Sequence, residues 1–564
     1  MMRPTILFST LVAVWGSAFA AVPVTGQPPD DDEGTFRFAI LADRNGGMRP
    51  GVFEDAVDKV NCLQPDFVLS VGDLIDGYTQ EPGVWNEQWE EFEAIVNRLG
   101  MPFYFVPGNH DISNGELLSA WKERRGDPYY CFVHENVLFL ILHTEDLSGG
   151  GIGPEQIRFA VEALAAHPDV RWTLLFFHRP LWLYEDQAGY GPIEEALAGR
   201  SYTVFTGHHH NYLKAERHGM THYVLATTGG GSALRGPEFG EFDHVTWVTM
   251  KPDGPVVTLL ALDGILSDGI VDETTRGPVD SLREGLWMRV DPVLHEDEAF
   301  DRLPLVIHLS NPQAYPLEVS GHLAAPSGLR FEPEDVAIQV PPAGWLDFKV
   351  DLLAVPAIPI HDLNEAGLEL ELTGAYAIGE RRLTLPARKR VLLDWVGSVE
   401  MITGAIRIDG DLSDWKGQDF TEVSHPSFIY EDWDWHGPED GRFRFAVARD
   451  ADRLLIAVQT FDDRVLVSAR RGVLQDRLYL DIETASGRIR IEGVAGTEEA
   501  DIAVRATAGG LVGEFAFPLP VGEEMIRLNV GWMDHDRPEN TKPSVLWWRD
   551  LSVPGFGSLR VDQK

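Results

Sequence analysis

At 564 residues the chain exceeds what a single hydrophobic core organises, and 44% apolar with 24% charged residues excludes a disordered or fibrous protein. Against 88 Asp and Glu stand only 47 Lys and Arg, a formal net charge of -41. A field of that sign argues against nucleic acid or an anionic membrane as a partner.

Arg3, the apolar run Ile6–Val14 and the small-residue stretch Ala18-Phe19-Ala20 have the order of an export signal, residues 1–20, with cleavage near Ala20. The run is shorter than the ~20 residues that span a bilayer, and no later stretch is long enough. The expectation is a periplasmic or extracellular protein without a membrane span. Residues 21–34, with the Pro- and Asp-rich Gln27–Glu33, read as a linker. The two cysteines, Cys62 and Cys131, are either a disulfide permitted by export or two free thiols, and they form no zinc-binding cluster.

From Thr35 strands and helices alternate, the pattern of α/β layers over 35–270. Helices are predicted at Val52–Leu63, with Phe53, Ala56, Val57 and Val60 on one face, and at Pro154–His167, with Ile157, Val161 and Leu164. Five apolar runs each end in a polar cluster. Phe36–Leu41 precedes Asp43-Arg44-Asn45, and Phe67–Val71 precedes Gly72-Asp73-Leu74-Ile75-Asp76. Met101–Val106 runs into Pro107-Gly108-Asn109-His110-Asp111, Leu174–Phe177 into His178-Arg179-Pro180, and Tyr202–Phe205 into Gly207-His208-His209-His210. The strand Tyr223–Ala226 leads into the Gly-rich Thr227–Gly231, which lacks the Lys-Ser/Thr of a nucleotide loop and reads as a tight turn.

The order and spacing of these five blocks resembles the calcineurin-like metallophosphoesterases, over roughly Thr35 to Ile265. Four blocks match that family's pattern, and the first departs from it, with Asn45 where the family has His. The resemblance implies an α/β two-sheet sandwich flanked by helices and a pair of divalent ions, Mn, Fe or Zn, that act on phosphate mono- or diesters. By that resemblance Asp73 bridges the ions. Asp43, Asn45 and His210 complete one site, and Asn109, His178 and His208 the other. His110 protonates the leaving oxygen and Asp76 holds its ring by a hydrogen bond. Asp111 caps the following turn, and His209 is not a ligand. Because the overall field repels a phosphate ester, the positive charge has to be local, from the metals and from Arg44 or Arg49.

From about Ser281 the texture becomes all-β. Leu303–Leu309, Val336–Val340, Leu346–Leu352, Gly367–Thr373 and Arg382–Pro386 predict an immunoglobulin-like β-sandwich over 281–395, a spacer without a chemical constellation. A further all-β domain is expected over 401–564. It opens with Ile408-Asp409-Gly410-Asp411-Leu412-Ser413-Asp414-Trp415, an Ile-Asp-Gly-x-x-x-x-Trp signature that resembles family 9 carbohydrate-binding modules and their DOMON-like relatives. That likeness implies sugar stacking on Trp433, Trp435, Trp547 or Trp548, against which core or rim packing is the alternative. Asp409, Asp411 and Asp414 are candidate ligands of a structural Ca²⁺, or members of a capped turn.

The fold expected is thus an α/β phosphoesterase-type sandwich followed by two all-β sandwiches. The function expected is an exported binuclear phosphoesterase that its C-terminal module directs to glycan. The competing reading is a sugar-binding or surface-interaction protein whose hydrolase domain has lapsed, for which Asn45 is the one sign.

Overall fold

The structure is a computed structural model that describes residues 34–184, 187–402, 404–424, 428–431, 437–468, 475–519, 524–535, 544–549 and 551–561. The predicted export signal, all but the last residue of the linker, Trp433 and Trp435 lie outside them. The chain divides after Arg276 into two compact units.

The first unit holds twelve strands among its described residues. They are β1 Phe36–Leu41, β2 Phe67–Ser70, β3 Phe103–Tyr104, β4 Tyr130–His134, β5 Val137–Ile141 and β6 Trp172–Phe176. The others are β7 Tyr202–Thr206, β8 Leu213–Arg217, β9 Met220–Val224, β10 His244–Lys251, β11 Gly254–Ala261 and β12 Gly264–Ser267. They form two six-stranded sheets, ordered β12-β11-β10-β1-β2-β3 and β4-β5-β6-β7-β9-β8. The runs β1-β2-β3 and β5-β6-β7-β9 are parallel, with antiparallel strands at the flanks.

One core fills the space between the sheets. Phe38, Ile40, Phe67 and Leu69 from the first sheet meet Phe139, Phe176 and Phe205 from the second, all buried, with Phe38 stacked on Phe67 at 5.4 Å. The opposite face of the first sheet, Ala39, Leu41 and Val68, packs on helices α1 Val52–Leu63 and α2 Pro82–Val96 and on α3 Gly115–Arg125. Strands buried on both faces read as unbroken apolar runs, which is why they were visible in the sequence.

Helix α1 buries Phe53, Ala56, Val57 and Val60, the face its periodicity predicts. Helix α4, Pro154–Ala166, is rotated from the expected face. It buries Gln156, Ala160, Ala163 and Leu164, and Ile157 is only partly covered. The reason is polar: the Gln156 amide clamps His143, accepting from its N–H at 2.6 Å and donating to its carbonyl at 2.9 Å. Cys62 is exposed and Cys131 half-buried, and both are free thiols.

The second unit contains both all-β regions. Strands Met288–Val290, Ala299–Asn311, Gly344–Pro359 and Leu329–Glu332 make one sheet of the first sandwich. Asp335–Val340, Leu317–His322, Glu369–Ile378 and Arg381–Arg390 make the other. The C-terminal sandwich packs Phe443, Phe445, Leu454, Ile456 and Val458 of one sheet against Leu478, Leu480, Leu528, Val530 and Trp532 of the second. The two regions are tied rather than merely linked. Asp394 accepts from Arg549 Nε at 2.8 Å and from the Gly557 N–H at 2.7 Å, with both charged side chains almost fully buried.

Candidate metal centre

All five polar clusters lie beyond the carboxyl ends of parallel strands, where an open sheet leaves a crevice. Asp43 follows β1, Asp73 follows β2 and Asn109 follows β3, so the first sheet delivers oxygen donors. His178 follows β6, and His208 and His210 follow β7, so the second sheet delivers nitrogens.

Two groups of potential ligand atoms result, Asp73 with His178 and His208, and Asp43 with Asp73 and His210, each gathered within 4.8 Å. Asp73 belongs to both. His178 Nε2 lies 3.1 Å from Asp73 Oδ2, 3.0 Å from Asn109 Oδ1 and 3.2 Å from His208 Nδ1. His210 Nε2 lies 3.2 Å from Asp43 Oδ2, which also accepts from the His208 N–H at 2.8 Å.

The rings are aimed by the main chain. His178 Nδ1 donates to the Val71 carbonyl at 2.8 Å and His210 Nδ1 to the Gly231 carbonyl at 2.6 Å, leaving each Nε2 to face the site. Such outer partners fix tautomer and orientation in metal-binding histidines. Asp73, His208 and His210 all adopt left-handed backbone, with φ of 56°, 72° and 55°. Strain of that kind persists only where the surroundings hold it. Gly72 is required by both conformation and space: its φ is 106°, and a β-carbon would meet His178 Nδ1 at 2.6 Å and Gly108 Cα at 2.8 Å.

The residues fit a pair of cations. One His178 nitrogen cannot satisfy three crowding acceptors at once, whereas a cation among them does. Asp43 Oδ1 is buried with no hydrogen-bond partner among the described residues. The electrostatics have the same origin. Burial favours the neutral forms, yet the His178 cation holds the Asp73 carboxyl well below its usual range. Burial likewise opposes charge on His178, but Asp73 and Asp43 push it up to about 10. His208, half-buried and facing His178 and Arg179, is pushed down to about 2 by desolvation and those two cations. Burial and the Asp73 charge raise Asp111 to about 7, although three main-chain N–H groups, of Leu74, Ile75 and Gly108, donate to it. Asp111 thus braces the metal-binding turns against each other, beyond the local cap expected.

Asn45 is buried, and its Nδ2 donates to the Leu74 carbonyl at 2.8 Å, leaving the amide oxygen without a hydrogen-bond partner among the described residues. His110 is outside both ligand groups. Its Nδ1 donates at 2.6 Å to Asp76, but to the main-chain carbonyl; the Asp76 carboxylate expected in that role is exposed.

Arg44 and Arg49 are not free to meet substrate. Arg44 is buried, bonded to the Leu74 carbonyl and to Glu91 at 2.6 Å. Arg49 grips both oxygens of Asp243 at 2.6 Å. The cation beside the site is Arg179, whose Nη1 lies 3.2 Å from His208 Nε2 while Glu145 holds Nε at 2.5 Å and Nη2 at 3.1 Å. Tyr78, which accepts from Asn109 Nδ2 at 3.0 Å and meets the His110 ring edge-on at 4.9 Å, was likewise missed. Arg179 adjoins a predicted ligand in the chain; Tyr78 carries no local signal. The Gly229–Gly231 turn is lashed to the first block, Gly230 N–H to the Asp43 carbonyl at 3.0 Å and Gly231 N–H to the Gly46 carbonyl at 3.1 Å.

In the C-terminal sandwich, Asp409, Asp411 and Asp414 accept main-chain N–H groups of Asp411, Ser413 and Arg407 and are not gathered as a cation site. The carboxylates that do converge there are Asp462, Asp476 and Asp534. Trp547 is buried and Trp548 packs on the core, the packing alternative to sugar stacking.

Residues 36–212 match the family of calcineurin-like phosphoesterases, and the N-terminal two-sheet sandwich is a domain of that family. A probable glycerophosphodiester phosphodiesterase of Arcobacter nitrofigilis is 32% identical over 129 residues, 21% of this chain and 42% of that one. A serine/threonine-protein phosphatase of Bos taurus is 27% identical over 187 residues, 28% of this chain and 58% of that one. The match thus spans about half the length of either relative. Among solved structures, a dimetal phosphatase from Danio rerio aligns at 15% identity with a TM-score of 0.32, over 42% of this chain and 98% of that one. A family 9 carbohydrate-binding module from Caldicellulosiruptor kristjanssonii aligns at 13% identity with a TM-score of 0.23, over 30% and 94%.

Proposed function

We propose that this protein hydrolyses phosphate esters at a binuclear metal centre held by Asp43, Asn45, Asp73, Asn109, His178, His208 and His210. The observation that carries this reading is the sharing of one buried carboxylate, Asp73, between two groups of ligand atoms. Mixed imidazole, carboxylate and amide donors without thiolate suit Mn, Fe or Zn. Bound there, two divalent ions polarise a phosphate ester and supply a nucleophile at neutral pH.

The chain's own groups do the rest. With Nδ1–H tied to the Asp76 carbonyl, His110 presents Nε2 as the nitrogen that gives a proton to the leaving oxygen. Arg179, held flat by Glu145 beside His208, meets the non-bridging oxygens of the ester, a geometry to which a guanidinium is suited. A panel of para-nitrophenyl phosphate and its bis-ester, run with Mn²⁺, Fe²⁺ and Zn²⁺ after chelation, tests the reading. Turnover that survives complete removal of metal overturns it.

The export signal and a glycan-directing role for residues 401–564 belong to the same proposal. Processing near Ala20 in a secreting host and a glycan array on the full chain test them.

A further inference from the structure

The C-terminal sandwich has a cavity of about 490 Å³ on the sheet that contains Gly441–Arg449 and Arg453–Asp462, lined by Lys416, Phe420, Arg444, Gln459, Arg505 and Thr507 among others. Three of these side chains are cations, and among the described residues none has a carboxylate within ion-pair distance. That is unusual in this domain, where Arg442 pairs with Glu422, Arg453 with Asp450, Arg477 with Glu492, Arg527 with Glu483 and Arg490 with Asp481. In a chain of net charge -41, three cations left together in one hollow stand against the prevailing composition.

Two of the cations are positioned. The Arg444 guanidinium lies over the Phe420 ring at 4.8 Å and the Phe461 ring at 5.6 Å, and its Nε and Nη2 both donate to Gln459 Oε1, at 3.0 and 2.7 Å. The aliphatic stem of Arg505 runs across the Gly410 turn, where a β-carbon would meet its Cγ at 2.9 Å. The nearby Glu514 carboxylate is already satisfied by the N–H groups of Asp409 and Gly410 and by Trp415 Nε1. The lining carboxylate Asp411 accepts from Ser413 N–H.

We propose that this cavity binds a saccharide through a tetrahedral oxyanion ester, a sulfate or phosphate, held by Arg444, Arg505 and Lys416. Guanidinium groups offer paired donors to such an anion. Gln459, Thr507 and Asp411 supply hydrogen-bonding groups for hydroxyls around it, and the volume suits a ligand of one or two sugar units. The site extends the glycan-directing reading above and rests on it for the polymer, while the anion recognition is its own claim.

The test uses the full chain in EDTA, at 0.15 M salt, with sulfate esters so that the phosphoesterase centre takes no part. Affinity electrophoresis through dextran sulfate should retard the protein, whereas neutral dextran should not. Calorimetry should show glucose 6-sulfate binding more tightly than glucose or inorganic phosphate. The exposed pair Lys416→Gln/Arg505→Gln should weaken both by at least roughly tenfold, the scale of one lost charge-assisted hydrogen bond. Arg444→Gln should do the same, with the melting temperature measured alongside because the guanidinium also packs on Phe420 and Phe461. Retardation unaltered in the exposed double variant overturns the site. Inorganic phosphate binding as tightly as the sugar sulfate overturns its saccharide component. A neutral glycan retained on the array by all variants would sink the anion claim if sulfated dextran is ignored, yet leave the glycan-directing reading standing.

Discussion

The His110 ring is anchored through Nδ1 to a main-chain carbonyl and stands outside both groups of ligand atoms, so its contribution separates from metal binding. His110→Ala should leave metal content intact and lower kcat by roughly 10²–10⁴ on an alkyl phosphate, the usual range for general acid catalysis. On a nitrophenyl ester, which departs with little protonation, the loss should be smaller; equal losses on both would refute the assignment. Asp76→Ala keeps the anchoring carbonyl and should cost far less, a contrast that steady-state kinetics of the two variants resolves. Arg179→Ala should raise KM by about tenfold, with kcat changed less, since it removes a charge-assisted grip on substrate rather than a proton donor. Asn45 gives a further test. A neutral amide oxygen binds more weakly than imidazole, so the ion held with Asp43 and His210 should leave first on dialysis. Asn45→Ala should hasten that loss and Asn45→His should slow it; metal analysis showing two ions equally retained in wild type and Asn45→Ala would remove Asn45 from the ligand set.

The elements place these atoms through turns rather than through the strands themselves. Gly72 allows the β2 turn to pass against both His178 and Gly108, so Gly72→Ala should displace Asp73 and His178 together. The expected result is loss of both ions in metal analysis, with a lowered melting temperature. In the C-terminal sandwich the strand ends bring Asp462 and Asp476 together, and burial with the Asp462 charge raises Asp476 to about 8. A carboxyl with its folded pKa above the unfolded value binds its proton more tightly when folded. Its contribution to stability is therefore present at low pH and is lost as pH rises from about 4 to about 8. Asp462→Asn removes the facing charge and keeps an oxygen for the Arg464 N–H. It should raise the melting temperature at pH 8 in EDTA, at roughly 2–4 °C for each kcal/mol gained, and flatten the pH dependence, as calorimetry across pH 5 to 8 would show.

At the scale of the molecule, every residue of the candidate metal centre lies in the unit that ends at Arg276. A chain ending there should fold, bind two ions and hydrolyse small esters with unchanged kcat/KM, measured beside the full protein. A large loss of activity on the small esters would show that the second unit contributes to the chemistry. The Asp394–Arg549 ion pair, buried on both sides, joins the two β-regions of the second unit. Asp394→Ala, which leaves a buried guanidinium unpaired, should destabilise that unit strongly while sparing ester hydrolysis.

The sequence by itself determined the strand runs of the first unit and the polar residues that follow them. Phe67–Ser70 and Tyr202–Thr206 are buried throughout and Phe36–Leu41 everywhere but at Arg37, so their character is largely apolar and a glycine or charged residue follows close on their ends. Helix α1 was legible for a related reason, a single apolar face, whereas α4 was turned by one buried Gln156 whose partner, His143, is thirteen residues away. What the tertiary structure alone decided is which polar groups are already spent. Arg44 and Arg49 carry the charge that a phosphate site needs, but each is consumed by a carboxylate far along the chain, Glu91 and Asp243. Arg179 is instead held by Glu145 at the edge of the metal centre, and Asp76 acts through its backbone. Pairing of this kind depends on separations of dozens to nearly two hundred residues, which strand order brings to a few ångströms and which no local pattern encodes.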